Sequence, residues 1–176
     1  MNILITILLV IVGIITLLLI MGLLMRKDHH VKRDIIINAP RQKVFDYIKL
    51  LKNQDSFNKH AMTAPDRNRE FKGTDGTVGF IYAWSGDKNA GVGQKEIKNI
   101  IEGKRIETEI RFVKPMAAVA HVVMETESVS ESQTKVSWSN SGFLKYPINV
   151  LIPMMEKSVA KDMDSSLVTL KKILEK

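Results

Sequence analysis

P-I-N-V-L-I-P-M-M-E-K-S-V-A-K-D-M-D-S-S-L-V-T-L-K-K-I-L-E-K, residues 147–176, is the stretch on which the fold turns. Ile148, Leu151, Ile152, Met155, Val159, Met163, Leu167, Leu170 and Leu174 recur at steps of three and four, the spacing of one face of an α-helix. Glu156, Lys157, Lys161, Asp164, Ser165, Lys171, Lys172 and Glu175 fall largely on the other side. Pro153 suits a first helical turn, where its missing N–H has no partner to lose. From there the run spans about 35 Å at 1.5 Å per residue. A helix this long with one apolar stripe needs a broad apolar surface to lie against. The chain between Val31 and Gly142 is expected to supply it as a curled sheet, an α+β arrangement with any function in the space between sheet and helix.

That sheet is legible as a change of period. Val31 to Asn38 (V-K-R-D-I-I-I-N) reads as a first strand, and Ala39-Pro40 ends it. Val44, Phe45, Ile48 and Leu51 mark a short amphipathic helix over 41–51, and a second short helix or irregular turn covers Asn53 to Met62. From Arg67 the period becomes two. Arg69 to Lys72 leads into the turn Gly73-Thr74-Asp75-Gly76, and Val78, Phe80, Tyr82 and Trp84 then alternate along the next strand. Turn residues 86–91, 102–104, 114–116 and 130–133 separate strands at Val92–Ile101, Arg105–Val113, Ala117–Val129 and Thr134–Gly142, an antiparallel meander. A one-residue slip would set apolar against polar, so Phe112 is expected opposite Ala118 and Ile110 opposite Ala120. Glu109 and His121 then face each other on the outer surface, while Val136, Trp138 and Asn140 point inward.

At the other end, Ile3 to Met25 carries no charge and is dominated by Ile, Leu and Val. At 1.5 Å per residue it spans about 34 Å, enough for a bilayer core of about 30 Å. A cleaved signal peptide is the rival, but no Lys or Arg precedes the run and no A-x-A site follows it. The reading is a single-pass membrane anchor over 1–25, a basic linker over 26–30 and one domain over 31–176. Arg26, Lys27, Lys32 and Arg33 follow the span, so the positive-inside rule puts the domain in the cytoplasm. His29 and His30 lie in the linker and read as solvated, since adjacent histidines without further ligands make a weak metal site.

Composition narrows the chemistry. Cysteine is absent, which excludes disulfides and thiolate metal sites. The net charge of +7 lacks an arginine-rich helix or an aromatic-plus-basic motif beside it, so it reads as lysine-rich surface and not as a nucleic-acid partner. Gly91-x-Gly93 leads into a strand where a dinucleotide fingerprint needs a helix, and position 96 is Glu. Glu109 with His121, and Glu125 with Glu127, read as exposed strand pairs. No catalytic residue, metal site or cofactor is expected. The inner face remains: Phe80, Tyr82, Trp84, Thr108, Ile110, Phe112, Met124, Trp138 and Asn140, opposite Met155, Val159 and Met163. A filled core is one reading of this set. A small-molecule cavity is the other, because Tyr82, Thr108, Trp138 and Asn140 bring a few polar atoms to apolar walls.

Several segments carry a family resemblance: V-K-R-D-I-I-I-N-A-P-R-Q-K-V-F-D-Y-I at 31–48, G-T-V-G-F-I-Y-A-W-S-G at 76–86, G-V-G-Q-K-E-I at 91–97 and R-I-E-T-E-I-R-F-V-K-P at 105–115. With T-K-V-S-W at 134–138 and S-L-V-T-L-K-K-I-L-E at 166–175, the chain resembles the SRPBCC superfamily, the helix-grip fold of START lipid-transfer domains and birch-pollen-type allergens. Within it the chain looks most like bacterial proteins labelled polyketide cyclase/dehydrase-like, over Val31 to Glu175. The resemblance implies a curved antiparallel sheet of about seven strands around the long C-terminal helix, with an apolar cavity between them. It transfers no catalytic residue. Two functions follow: a membrane-tethered binder or carrier of an apolar, lipid-like small molecule, or a cyclase/dehydratase-type enzyme acting on one. A tethered protein-interaction module is a third.

Overall fold

An unbroken apolar run at the start of the chain, alternation in its middle and three–four spacing at its end produce helices, strands and 3₁₀ turns. The computed structural model describes residues 2–87 and 90–176. In chain order these are α1 (Ile3–Leu24), β1 (Asp28–Ile37), α2 (Arg41–Lys49), a 3₁₀ turn (Leu51–Ser56) and α3 (Lys59–Met62). Then come β2 (Asn68–Lys72), β3 (Ile81–Ser85), β4 (Val92–Ile101), β5 (Arg105–Lys114), β6 (Ala118–Ser130), β7 (Gln133–Phe143), a second 3₁₀ turn (Ile148–Leu151) and α4 (Ile152–Leu174). The strands form one seven-stranded antiparallel sheet in the order β1-β7-β6-β5-β4-β3-β2.

The β5–β6 register follows the alternation: Phe112 lies opposite Ala118, Ile110 opposite Ala120 and Glu109 opposite His121. His121 is exposed, and Glu109 pairs instead with Arg111 on its own strand. On the inner face Phe80, Ile97, Val136, Leu167 and Leu170 are fully buried, so sheet and α4 share one core with α2. α4 buries Ile152, Ala160, Met163, Ser166, Leu167, Leu170 and Leu174. Leu151, read as part of that stripe, is 46% exposed. It closes a 3₁₀ turn, whose three residues per turn fall out of phase with the helical face that follows.

Two boundaries differ from the sequence reading. β3 begins at Ile81 and leaves Val78 exposed, because Gly76 (φ 78°) and Gly79 (φ 85°) take left-handed backbone that no strand accommodates. β1 begins at Asp28, inside the stretch read as linker, because Asp28 and His29 continue the ladder against Phe143 and Gly142. His29 is therefore buried and not solvated, and its Nε2 lies 3.2 Å from Asn140 Oδ1. Of the turn read over 86–91, positions 88 and 89 lie outside the described residues.

Every residue of α1 is exposed except Gly22, and the helix is long and apolar enough to cross a membrane. Its C-terminal carbonyls do not dangle. The buried Asn149 reaches the carbonyls of Gly22 (2.7 Å), Met25 (3.1 Å) and Arg26 (3.3 Å), groups a helix end leaves without intrahelical partners. Gly22 permits this contact: a Cβ there would stand 3.3 Å from Asn149 Oδ1 and from the Tyr146 ring. Arg26 and the backbone N–H of His30 both bond to Glu156, at the start of α4. The apolar helix is thus fastened to the domain at the point where it ends.

Candidate functional site

Strand direction places the site. β1 starts, β7 ends, β6 starts, β5 ends, β4 starts and β3 ends at the same end of the sheet, through the partners Asp28–Phe143, Phe112–Ala118, Val92–Lys114 and Ser85–Val92. That end is the one to which α1 is fastened. There the sheet's inner face meets the segment 51–67, and a cavity of about 60 Å³ remains between them. Trp84, Ile110, Phe112, Leu51 and Ala61 supply apolar walls, and Gln54, Asp55, Asn58, His60, Arg67, Tyr82 and Lys95 supply polar ones.

Sheet geometry explains the walls. Tyr82, Lys95 and Ile110 are register partners across β3, β4 and β5, so a lysine stands on the inner face between a tyrosine and an isoleucine. Trp84 lies over Gly93, where a Cβ would come within 2.6 Å of its indole and 2.8 Å of the Arg111 carbonyl, so the strand must carry glycine there. The indole N–H donates to the Ala90 carbonyl (3.1 Å), and the Phe112 ring meets it edge-on at 6.0 Å. The roof is held from two sides. Asp75 accepts from the backbone N–H groups of Leu51 (2.8 Å) and Lys52 (3.1 Å), capping the 3₁₀ turn. Ser166 of α4 accepts from the N–H of Lys59 (2.9 Å) and donates to the Asp162 carbonyl (2.7 Å), which pins α3 over the pocket.

The polar wall is a network around Asp55. Arg67 Nη2 donates to Asp55 Oδ1 (2.7 Å) and to Tyr82 Oη (2.8 Å); Arg69 Nε lies 3.0 Å from Asp55 Oδ2. Tyr82 donates in turn to Asp55 (2.7 Å). Burial, and then this hydrogen bond, hold the Tyr82 phenol above its ordinary value. The Lys95 ammonium donates to Gln54 Oε1. Desolvation, with repulsion from Arg67 second, lowers its pKa from 10.5 to about 8, although the residue as a whole is only partly buried. His60 straddles the pocket rim and solvent, and it is held below the usual histidine value by burial first and then by Arg67 and Lys95.

Of the residues singled out from the sequence, the structure brings Tyr82, Trp84, Ile110 and Phe112 to this cavity. Thr108, Met124, Trp138 and Met163 are buried in the packed core, and Val159 packs against it. The Phe57 ring, from the segment after α2, meets Trp138 at 6.2 Å and occupies space between sheet and α4. The Thr108 hydroxyl faces the Val122 carbonyl at 3.5 Å, Asn140 holds His29, and Met155 is half-buried at the start of α4. Lys95, Arg67, Asp55, Gln54 and His60 had no place in the sequence reading. One signal was available for Lys95: pairing β3 with β4 across the 86–91 turn puts it opposite Tyr82. Among the described residues no group of acidic, His or Cys side chains is arranged to hold a metal ion.

No family model matches the sequence, and no curated protein is similar to it. Solved structures do match. Norcoclaurine synthase from Thalictrum flavum, in truncated form, superposes with a TM-score of 0.62 at 10% identity over 86% of this chain and 98% of its own. A protein from Chromobacterium violaceum gives 0.61 at 13% identity, covering 84% and 98%. Aha1 from Colwellia psychrerythraea gives 0.58 at 16%, covering 83% and 96%. Likeness at this level of identity speaks for architecture alone, and with the seven-stranded antiparallel sheet and the long α4 it establishes that the chain has the helix-grip fold.

Proposed function

We propose that this protein is a membrane-tethered binding domain for a small, largely apolar molecule. The observation that carries the reading is the position of the cavity. Walled by Trp84, Ile110 and Phe112, it sits at the end of the sheet where α1 is fastened. With α1 across a bilayer, a ligand leaving the lipid phase has a short path to that end. The basic cluster Arg26, Lys27, Lys32 and Arg33 supports a cytoplasmic side for the domain by the positive-inside rule. Alkaline carbonate should leave the protein in the membrane pellet, and protease added to intact cells should spare the domain. Native mass spectrometry of the full chain released from nanodiscs should reveal a bound small molecule. Ile110→Trp, which fills the cavity, should remove that adduct without lowering the melting temperature. An adduct that persists in Ile110→Trp, or none in either protein, would overturn the reading.

One observation favours a second reading, an enzyme of the cyclase/dehydratase type. Lys95, brought to a pKa of about 8, stands across β3 and β4 from the Tyr82–Asp55 pair, and a proton donor or acceptor near neutrality is what acid–base chemistry requires. Turnover of a bound molecule that stops in Lys95→Met would establish it.

A further inference from the structure

The ligand's head group is legible in the charges of the cavity, given the binding reading above. Two cations, Arg67 and Lys95, line it against one carboxylate, Asp55. Asp55 is already shared: Arg67 and the Tyr82 hydroxyl bond to Oδ1 and Arg69 lies on Oδ2, so with Lys95 three cations stand around one anion. His60 carries no negative charge in either protonation state, and Asp162, beyond it, is paired with Lys59 (3.0 Å). Arg67 lines the cavity and is 8% exposed, its guanidinium lies over the Tyr82 and Trp84 rings, and its buried Nε–H has no hydrogen-bond partner among the described residues. A buried donor left unmade is costly, more so on a charged group. The Lys95 ammonium has three N–H donors and gives one to Gln54. Excess positive charge and the unspent Lys95 donors meet apolar walls, an arrangement suited to an oxyanion with a hydrocarbon tail.

We propose that the ligand is a short amphiphile with a carboxylate head, received by the Lys95 ammonium beside the Arg67 charge, its tail lying against Trp84, Ile110 and Phe112. The test is isothermal titration of the full chain in phosphatidylcholine nanodiscs, with empty nanodiscs as blank, using hexanoate, hexanamide and acetate. Hexanoate should bind on the order of tenfold tighter than its neutral isostere hexanamide, the worth of one charge-assisted hydrogen bond. Acetate, the head without the tail, should be weaker than either. Lys95→Met keeps the apolar stem, and in it the advantage of hexanoate over hexanamide should shrink severalfold. Equal affinity for hexanoate and hexanamide in the wild-type protein would overturn the carboxylate head while leaving the binding site intact. Acetate as tight as hexanoate would make this a bare anion site and overturn the amphiphile. Binding of none of the three would overturn the pocket reading itself.

Discussion

Lys95 is a cation on the inner face of a sheet, and the fold is less stable for carrying it charged. In the unfolded chain it holds its proton to about pH 10.5, and in the folded chain to about 8. The unfolded state therefore binds more protons between those values, and stability rises with pH across that window by up to about 3 kcal/mol. Below pH 8 the penalty is fully present and this group contributes no slope. Lys95→Met should raise the denaturant midpoint at pH 7.5 and flatten the rise between pH 8 and 10. An unchanged slope in the variant would mean that the ammonium is solvated. Asp55 is the converse case. Asp55→Asn leaves the buried Arg67 beside a neutral partner, at a cost of about 3 kcal/mol read as a lower midpoint. Neither role shows in the periodicity of the sequence; only the pairing of Lys95 opposite Tyr82 pointed to one of them. A lysine in an alternating strand reads as outward-facing, and Asp55 and Arg67 lie in irregular segments with no period to locate them.

The elements were far more legible than the site, because burial of a face repeats and a polar network does not. The β5–β6 register followed from apolar alternation alone, and α4 from its three–four spacing. Where backbone special to glycine intervened, at Gly76 and Gly79, the strand boundary moved. Where a 3₁₀ turn preceded α4, Leu151 swung outward. The roof of the cavity is the least periodic part, and its position depends on single hydrogen bonds to other elements. Ser166→Ala leaves the Lys59 N–H without its acceptor and should cost about 1 kcal/mol. Hydrogen exchange over 59–62 should quicken while the sheet keeps its protection. Faster exchange throughout the sheet would show that Ser166 serves the global core instead. Leu170 belongs to that core at 0% exposure, and Leu170→Ala should cost about 2–5 kcal/mol in the global melt.

At the scale of the whole molecule, the connection between α1 and the domain leaves no slack. β1 starts at Asp28, shortly after α1 ends at Leu24, and the carbonyls between them are held by Asn149. Leu144 N–H donates to the Lys27 carbonyl (2.8 Å), and Phe143 pairs with Asp28. If α1 spans a bilayer, the end of the sheet carrying these residues lies at its surface. The exposed residues there suit such a place. Val113, Met116 and Phe143 are 57%, 38% and 55% exposed, beside Lys114 and Lys145. Apolar side chains flanked by lysines match the boundary between acyl chains and anionic head groups. The β6–β7 turn, with the exposed Glu131, lies at the far end of the same strands. Because the chain has no cysteine, single substitutions give clean labels. An environment-sensitive fluorophore on Phe143→Cys should report an apolar surrounding in vesicles and be quenched by brominated lipid, while the same label on Glu131→Cys should remain aqueous. Asn149→Ala, which frees the end of α1, should weaken quenching at position 143 without releasing the protein from the vesicle. If both labels stayed aqueous while the protein remained in the membrane, the domain would stand clear of the bilayer, and the short path from lipid to cavity would be lost with it.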